Sequence, residues 1–136
     1  MMFGLLGCSK QKMQAQSDKA DDMIEISISN QVAEADIWVI PDTEENRKSS
    51  VWGSATLSKA DTQGTQSISV QIPAGTGRYL IRMIDIDEMY YAADDIVLAD
   101  HQSIVIRKGE DMSAIVEVYC ADGTPAAEYA MFVARL

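Results

Sequence analysis

Histidine occurs once in this chain, cysteine twice and proline three times, and only 11 basic residues stand against 21 acidic ones. Each scarcity excludes something. The single His101, in the turn Ala99-Asp100-His101-Gln102, cannot build a His-rich metal site. A Ser-His-Asp triad would also need a nucleophile on a strained, exposed turn. His101 therefore reads as a solvated turn residue. The formal charge of −10 and sequence pI near 4.3 repel phosphate backbones, because nucleic-acid binding draws its affinity from cationic side chains that displace counterions. DNA and RNA are excluded as partners; the charge serves solubility or a basic partner. No segment approaches the roughly 20 apolar residues of a membrane span. Long stretches of 3.6-residue periodicity are missing as well, and with them the crossover helices that a parallel sheet needs.

What is present from Met23 onward is alternation. Ile24, Ile26 and Ile28 alternate with Glu25, Ser27 and Ser29, and Ile68, Val70 and Ile72 alternate with Ser67, Ser69 and Gln71. Period two over such lengths marks half-buried strands with one wet face. Ile37 to Ile40 is apolar on both faces before Pro41 stops it, and Tyr79 to Ile84 is nearly so, as suits central strands covered on both sides. Further strands are expected at Tyr90 to Ala92, Ile96 to Leu98, Ser103 to Arg107, Ala114 to Cys120 and Glu128 to Arg135. The last also carries a helical reading over Ala126 to Leu136, and the hairpin signal of Asp122-Gly123 before it favours a strand. Glycine-bearing turns at Gly64, Gly75, Gly77, Gly109 and Gly123 separate these segments. Asp42 to Ser50 is polar throughout and reads as a long exposed loop. The fold class expected is an all-β, antiparallel β-sandwich of about eight or nine strands, immunoglobulin-like or transthyretin-like, over residues 23–136.

The first 22 residues differ. Leu5-Leu6-Gly7-Cys8-Ser9 resembles the end of a bacterial lipoprotein signal, in which the cysteine is lipidated and becomes the mature N-terminus. Ser9 to Asp22 is almost wholly polar and cannot bury enough apolar surface to fold, so it reads as a tether. Met1 to Leu6 supplies neither a basic n-region nor a full apolar stretch of about 7 to 15 residues, so the signal reads as truncated and the true start as lying upstream. Residues 1–22 are thus expected to be signal and tether, with Cys8 the lipidation site and the domain facing the periplasm or exterior. The alternative is a cytoplasmic protein with a ragged N-terminus. Cys120, which alternation places on the face of Val116 and Val118, reads as a buried thiol behaving as a small hydrophobe.

With these strands placed, Ala35 to Pro41, Trp52 to Leu57, Ser67 to Pro73, Tyr79 to Asp87 and the strand opening at Tyr90 resemble a family of small secreted or lipid-anchored bacterial β-sandwich domains of unassigned function. The resemblance spans about Ile24 to Arg107. It implies an exported sandwich and assigns no activity. The family pattern usually has glycine after Asp-x-Asp; here Glu88 stands there.

Three constellations remain as candidate sites. Asp85, Asp87, Glu88, Asp94 and Asp95 form the densest carboxylate group; a tight hairpin could bring them together, and calcium takes 6 to 8 oxygens. They read either as a solvated acidic loop or as a calcium site. Trp52, followed by Gly53, reads either as an exposed partner contact or as a core plug closing the open end of the sandwich. Tyr90 and Tyr91 must point to opposite faces. No nucleophile, base and orienting group gather in the sequence, so the expectation is a non-enzymatic binding or structural module whose partner is a protein or small ligand. An enzyme of unrecognised type would instead show a deep pocket with strongly shifted carboxylates.

Overall fold

The structure, a computed structural model, describes residues 22–49, 52–62, 67–110 and 113–133. Alternation produces eight strands: β1 (Met23–Asn30), β2 (Ala35–Pro41), β3 (Ile68–Pro73), β4 (Arg78–Asp85), β5 (Tyr90–Val97), β6 (Ser103–Lys108), β7 (Ser113–Tyr119) and β8 (Pro125–Val133). They form one sheet in the order β2-β4-β5-β8-β7-β6-β1-β3, which curls until it is nearly barrel-shaped. The chain is all-β as expected. The wholly antiparallel sandwich is corrected, because β1 and β6 run parallel, Ser27 facing Ser103 and Asn30 facing Ile106. Parallel neighbours need a crossover, and here strands β2 to β5 supply it in place of a helix.

The inner face of the curled sheet is the core. Ile26, Ile37, Tyr79, Ile81, Met83, Ile96, Ile104, Ile106, Val116 and Met131 are each at most 1% exposed within it. Alternation also splits the tyrosine pair as expected: Tyr91 is buried in the core and Tyr90 turns to the other face. The segments read as Tyr90–Ala92 and Ile96–Leu98 are one strand, β5, irregular where the β4–β5 register shifts between Tyr79 and Ile81. The C-terminal segment is strand β8, paired with β7 from Pro125 to Phe132.

β4 is interior and covered on both faces, as its apolar run predicts; Leu80 is fully buried yet outside the core cluster. β2, with the same signature, stands at one end of the sheet. Its outer edge is closed by irregular chain: Leu57 bridges Ile37, the Val39 N–H donates to Thr56 Oγ1 (2.9 Å) and the Ala35 N–H to Thr62 Oγ1 (2.9 Å). An apolar run reports cover, not position in the ladder. The expected loop 42–50 holds a short helix, α1 (Glu44–Lys48). Thr43 caps it by accepting from the Asn46 N–H (3.0 Å), with Glu44 and Glu45 in the first turn and Arg47 and Lys48 in the last, so both ends suit the helix dipole.

Cys120 is buried, as alternation required. It is disulfide-bonded rather than free, which corrects the reading as a thiol. Strand periodicity fixes which face a cysteine takes and is silent on its oxidation state.

Candidate functional site

The outer face of β2, β4 and β5 carries a second cluster that alternation alone did not reveal. Trp38, Arg82 and Ala92 lie side by side on three adjacent strands, in register across the ladder, so their side chains share the outer face. Trp52 reaches this face from the loop after α1. Its ring packs 5.5 Å from that of Trp38 at 57°, and 6.0 Å from that of Tyr90, nearly parallel at 5°. The indole N–H groups hold the loop in place: Trp52 Nε1 donates to the Asn46 carbonyl and Trp38 Nε1 to the Gly53 carbonyl, each at 3.1 Å. All three rings are part-exposed. Trp52 is therefore no plug at an open end of the core; it is seated on the outside of the sheet. Burial of Tyr90 beside this cluster pushes its hydroxyl pKa up, a rise that the Arg82 cation partly opposes.

Beneath the rings lies Arg82, only 5% exposed. Its guanidinium carbon sits 5.9 Å from the centroid of Trp52, within cation–π range. Nη1 donates to the carbonyls of Ile81 (3.2 Å) and Ala93 (3.1 Å) and pairs with Asp94 at 2.8 Å. Its Nε is buried with no partner among the described residues. Around it, Arg47 from α1 grips Asp42 through two hydrogen bonds (2.5 and 2.7 Å), and Asp42 also accepts from the Asp95 N–H (2.9 Å). The Arg47 guanidinium holds the Asp42 carboxyl below its usual pKa. Arg78 pairs with Asp95 at 2.5 Å. This ionic belt pins α1 and the Trp52 loop onto β4 and β5.

The five carboxylates picked out by spacing are divided between two places. Asp85, Asp87 and Glu88 belong to the β4–β5 turn. Asp85 is buried there and accepts from the Asp87 and Met89 N–H groups, both at 2.9 Å, and from the Tyr91 hydroxyl at 3.3 Å. Asp94 and Asp95 sit several residues along β5, roughly 13 Å or more from the turn at the usual rise per residue, and face arginines. Among the described residues no group of three or more His, Cys, Asp and Glu side chains could hold a metal ion. Elsewhere, Glu117 is held below its usual pKa by Arg107, and Asp61 by the Ser58 N–H and hydroxyl. Neither these nor Asp42 is the raised carboxyl that a general acid requires. His101 is an exposed turn residue beside Asp100 (3.3 Å), its backbone tied to the Glu25 carbonyl.

What the outer cluster can do chemically is present flat aromatic surface next to paired cations and anions, on rigid strands. Sequence reasoning singled out Trp52 and missed its setting. The available signal was Arg82 itself, a charge inside a run covered on both faces, which demands an anionic partner and a shield. Arg82→Ala is expected to cost about 2–3 kcal/mol through the void left under Trp52. Arg82→Met, of similar length and without the orphaned Nε, should stay within about 1 kcal/mol of wild type. Urea unfolding measures both. Equal losses would show that the charge, not the packing, seats the indole. Comparison of the chain with family models, curated proteins and solved structures gives no match.

Proposed function

We propose that this chain is a non-enzymatic binding or structural module of the bacterial cell envelope, anchored by lipid at Cys8 and presenting its outer aromatic face to a partner. The order of features along the chain carries this reading: an apolar stretch ending in Leu5-Leu6-Gly7-Cys8, a polar tether to Asp22, then a strand from Met23. Cys8 and the tether lie outside the described residues. The part-exposed Trp38, Trp52 and Tyr90 rings support the binding role, since aromatic side chains anchor interfaces more strongly than other types. A disulfide at Cys120 suits an oxidising compartment beyond the cytoplasm, but within one chain it competes with the lipid for Cys8, the other cysteine.

That disulfide also sharpens the test. The chain has one other cysteine, Cys8, and one sulfur cannot hold both a lipid thioether and a disulfide. In its native bacterium the full gene product is expected to fractionate with membranes, and Cys8→Ser to leave them. Mass spectrometry of the purified protein should find lipid mass on the Cys8 peptide. A Cys8–Cys120 cross-linked peptide would remove the anchor, and wild-type protein in the cytosolic fraction would remove the envelope assignment altogether.

A further inference from the structure

The ionic belt around the outer aromatic cluster has a gap in it. Asp94 gives Oδ1 to Arg82 Nη1 at 2.8 Å, while its Oδ2 stands 4.0 Å from Arg47 Nη1. That separation is too long for a hydrogen bond. Both side chains are open to solvent at this point, Asp94 by 43% and Arg47 by 47%, and both are held from behind. Asp42 grips Arg47 through Nε and Nη2, and Arg82, itself only 5% exposed, fixes Asp94. A donor and an acceptor are thus set side by side without satisfying each other.

An atom placed in this gap, about 2.8 Å from each group, must accept from the guanidinium and donate to the carboxylate. A carboxylate has no proton to donate, and an ammonium or guanidinium has no lone pair to accept with. A hydroxyl does both. The local charge points the same way. Arg47, Arg78 and Arg82 are matched against Asp42, Asp95 and Asp94, so the belt is balanced within a chain whose net charge is −10. The aromatic rings lie directly beside it: Arg82, which holds Asp94, sits 5.9 Å from the centroid of Trp52, and Trp52 packs against Trp38 and Tyr90.

We infer that the outer face takes a neutral saccharide, one hydroxyl of which bridges Arg47 Nη1 and Asp94 Oδ2 while the sugar ring packs against the Trp52 cluster. This rests on the reading of that face as the partner surface, and it names the partner's chemistry. A β-linked pyranose with equatorial hydroxyls carries its O–H groups around the rim. Its faces are left as C–H, whose partial positive charge suits the negative face of an aromatic ring. Admitting the hydroxyl breaks no existing bond, since Arg47 keeps Asp42 and Asp94 keeps Arg82, so the site is organised before the ligand arrives.

Isothermal titration of the full chain with cellotetraose and with chitotetraose, two neutral β-linked sugars, tests this. Saturable binding with a Kd of about 1 mM or tighter is expected for at least one of them. The affinity should be the same at low salt and in about 1 M NaCl, because a neutral ligand has no charge to screen. Trp52→Ala should weaken binding at least tenfold. Arg47→Met, an exposed change that the fold tolerates, should weaken it about fivefold by removing the donor to the bridging hydroxyl; it decides the matter if Trp52→Ala does not fold. Binding of neither sugar overturns the inference, as does an affinity that collapses in salt or that is unchanged in Arg47→Met or in folded Trp52→Ala. Decaproline and hexa-arginine peptides are titrated alongside. A peptide that binds the wild type and not Trp52→Ala, where both sugars fail, removes the saccharide and leaves the aromatic face as a partner surface. The envelope assignment falls separately, on the fractionation of wild type and Cys8→Ser.

Discussion

Replacing Asp85 with alanine is expected to lower the thermal midpoint by roughly 10 °C, corresponding to a loss of about 2–3 kcal/mol. The carboxylate is 4% exposed and is the internal bracket of the β4–β5 hairpin. One oxygen accepts from the Asp87 and Met89 N–H groups, the other from the Tyr91 hydroxyl. Alanine would leave two backbone donors and a tyrosine hydroxyl without acceptors in a place that water reaches poorly, and orphaned donors are destabilising in proportion to their burial. The turn has strain to hold as well. Glu88 has a φ of 65°, left-handed backbone that favours glycine, and it is held there by the bracket together with the Glu88 N–H bond to the Asp85 carbonyl (2.8 Å) and the Asp85 N–H bond to the Met89 carbonyl (3.0 Å). Asp85→Asn, which retains an acceptor oxygen, should lose less than half as much. Calorimetry showing Asp85→Ala within about 0.5 kcal/mol of wild type would mean that the turn is held by its strands alone.

At alkaline pH the largest effect is expected from Tyr79. Its ring is fully buried, and its hydroxyl donates to the carbonyls of Pro73 and Ala74, at 2.6 and 2.9 Å. Burial pushes its pKa up from 10.0 to about 12. A group whose folded pKa is raised contributes stability that is complete below the unfolded pKa and is lost as pH climbs through the folded one. The window is therefore pH 10 to 12, and two pKa units correspond to about 2.7 kcal/mol. Tyr90 and Tyr91 are shifted upward too, again chiefly by burial, and steepen the same decline. Tyr79→Phe should be about 1 kcal/mol less stable at pH 7, for want of the hydroxyl's bonds, yet lose less stability between pH 10 and pH 12. Urea titrations at both ends of the window decide it: parallel declines in the two proteins would show that Tyr79 ionises freely in the folded state.

Much of the fold was legible because a half-buried strand writes its own pattern. The division of Tyr90 from Tyr91, the wet faces of β3 and the strand character of β8 follow from alternation, and the two-sided cover of β4 follows from its unbroken apolar run; both patterns depend only on neighbours in the chain. The cap that starts α1 was legible in the same local way, in Thr43 and the two glutamates after it, although a uniformly polar segment invited the reading of a loop. The carboxylate group shows the limit. Proximity in sequence brought Asp85 and Asp94 into one candidate site, and a strand, rising about 3.3 Å per residue, carries them apart.

By itself, then, the sequence determined the all-β character, the faces of the strands, the placing of the turns, and the net negative charge. Tertiary structure alone decided that β1 and β6 run parallel, that the apolar β2 ends the sheet while β4 lies inside it, and that Arg82 meets Asp94 beneath Trp52. The reason is the range of the forces involved. Side-chain alternation answers to burial one residue at a time, whereas strand order and a buried ion pair are chosen by contacts between segments far apart in the chain, whose loop-closure entropy depends only weakly on the length between them.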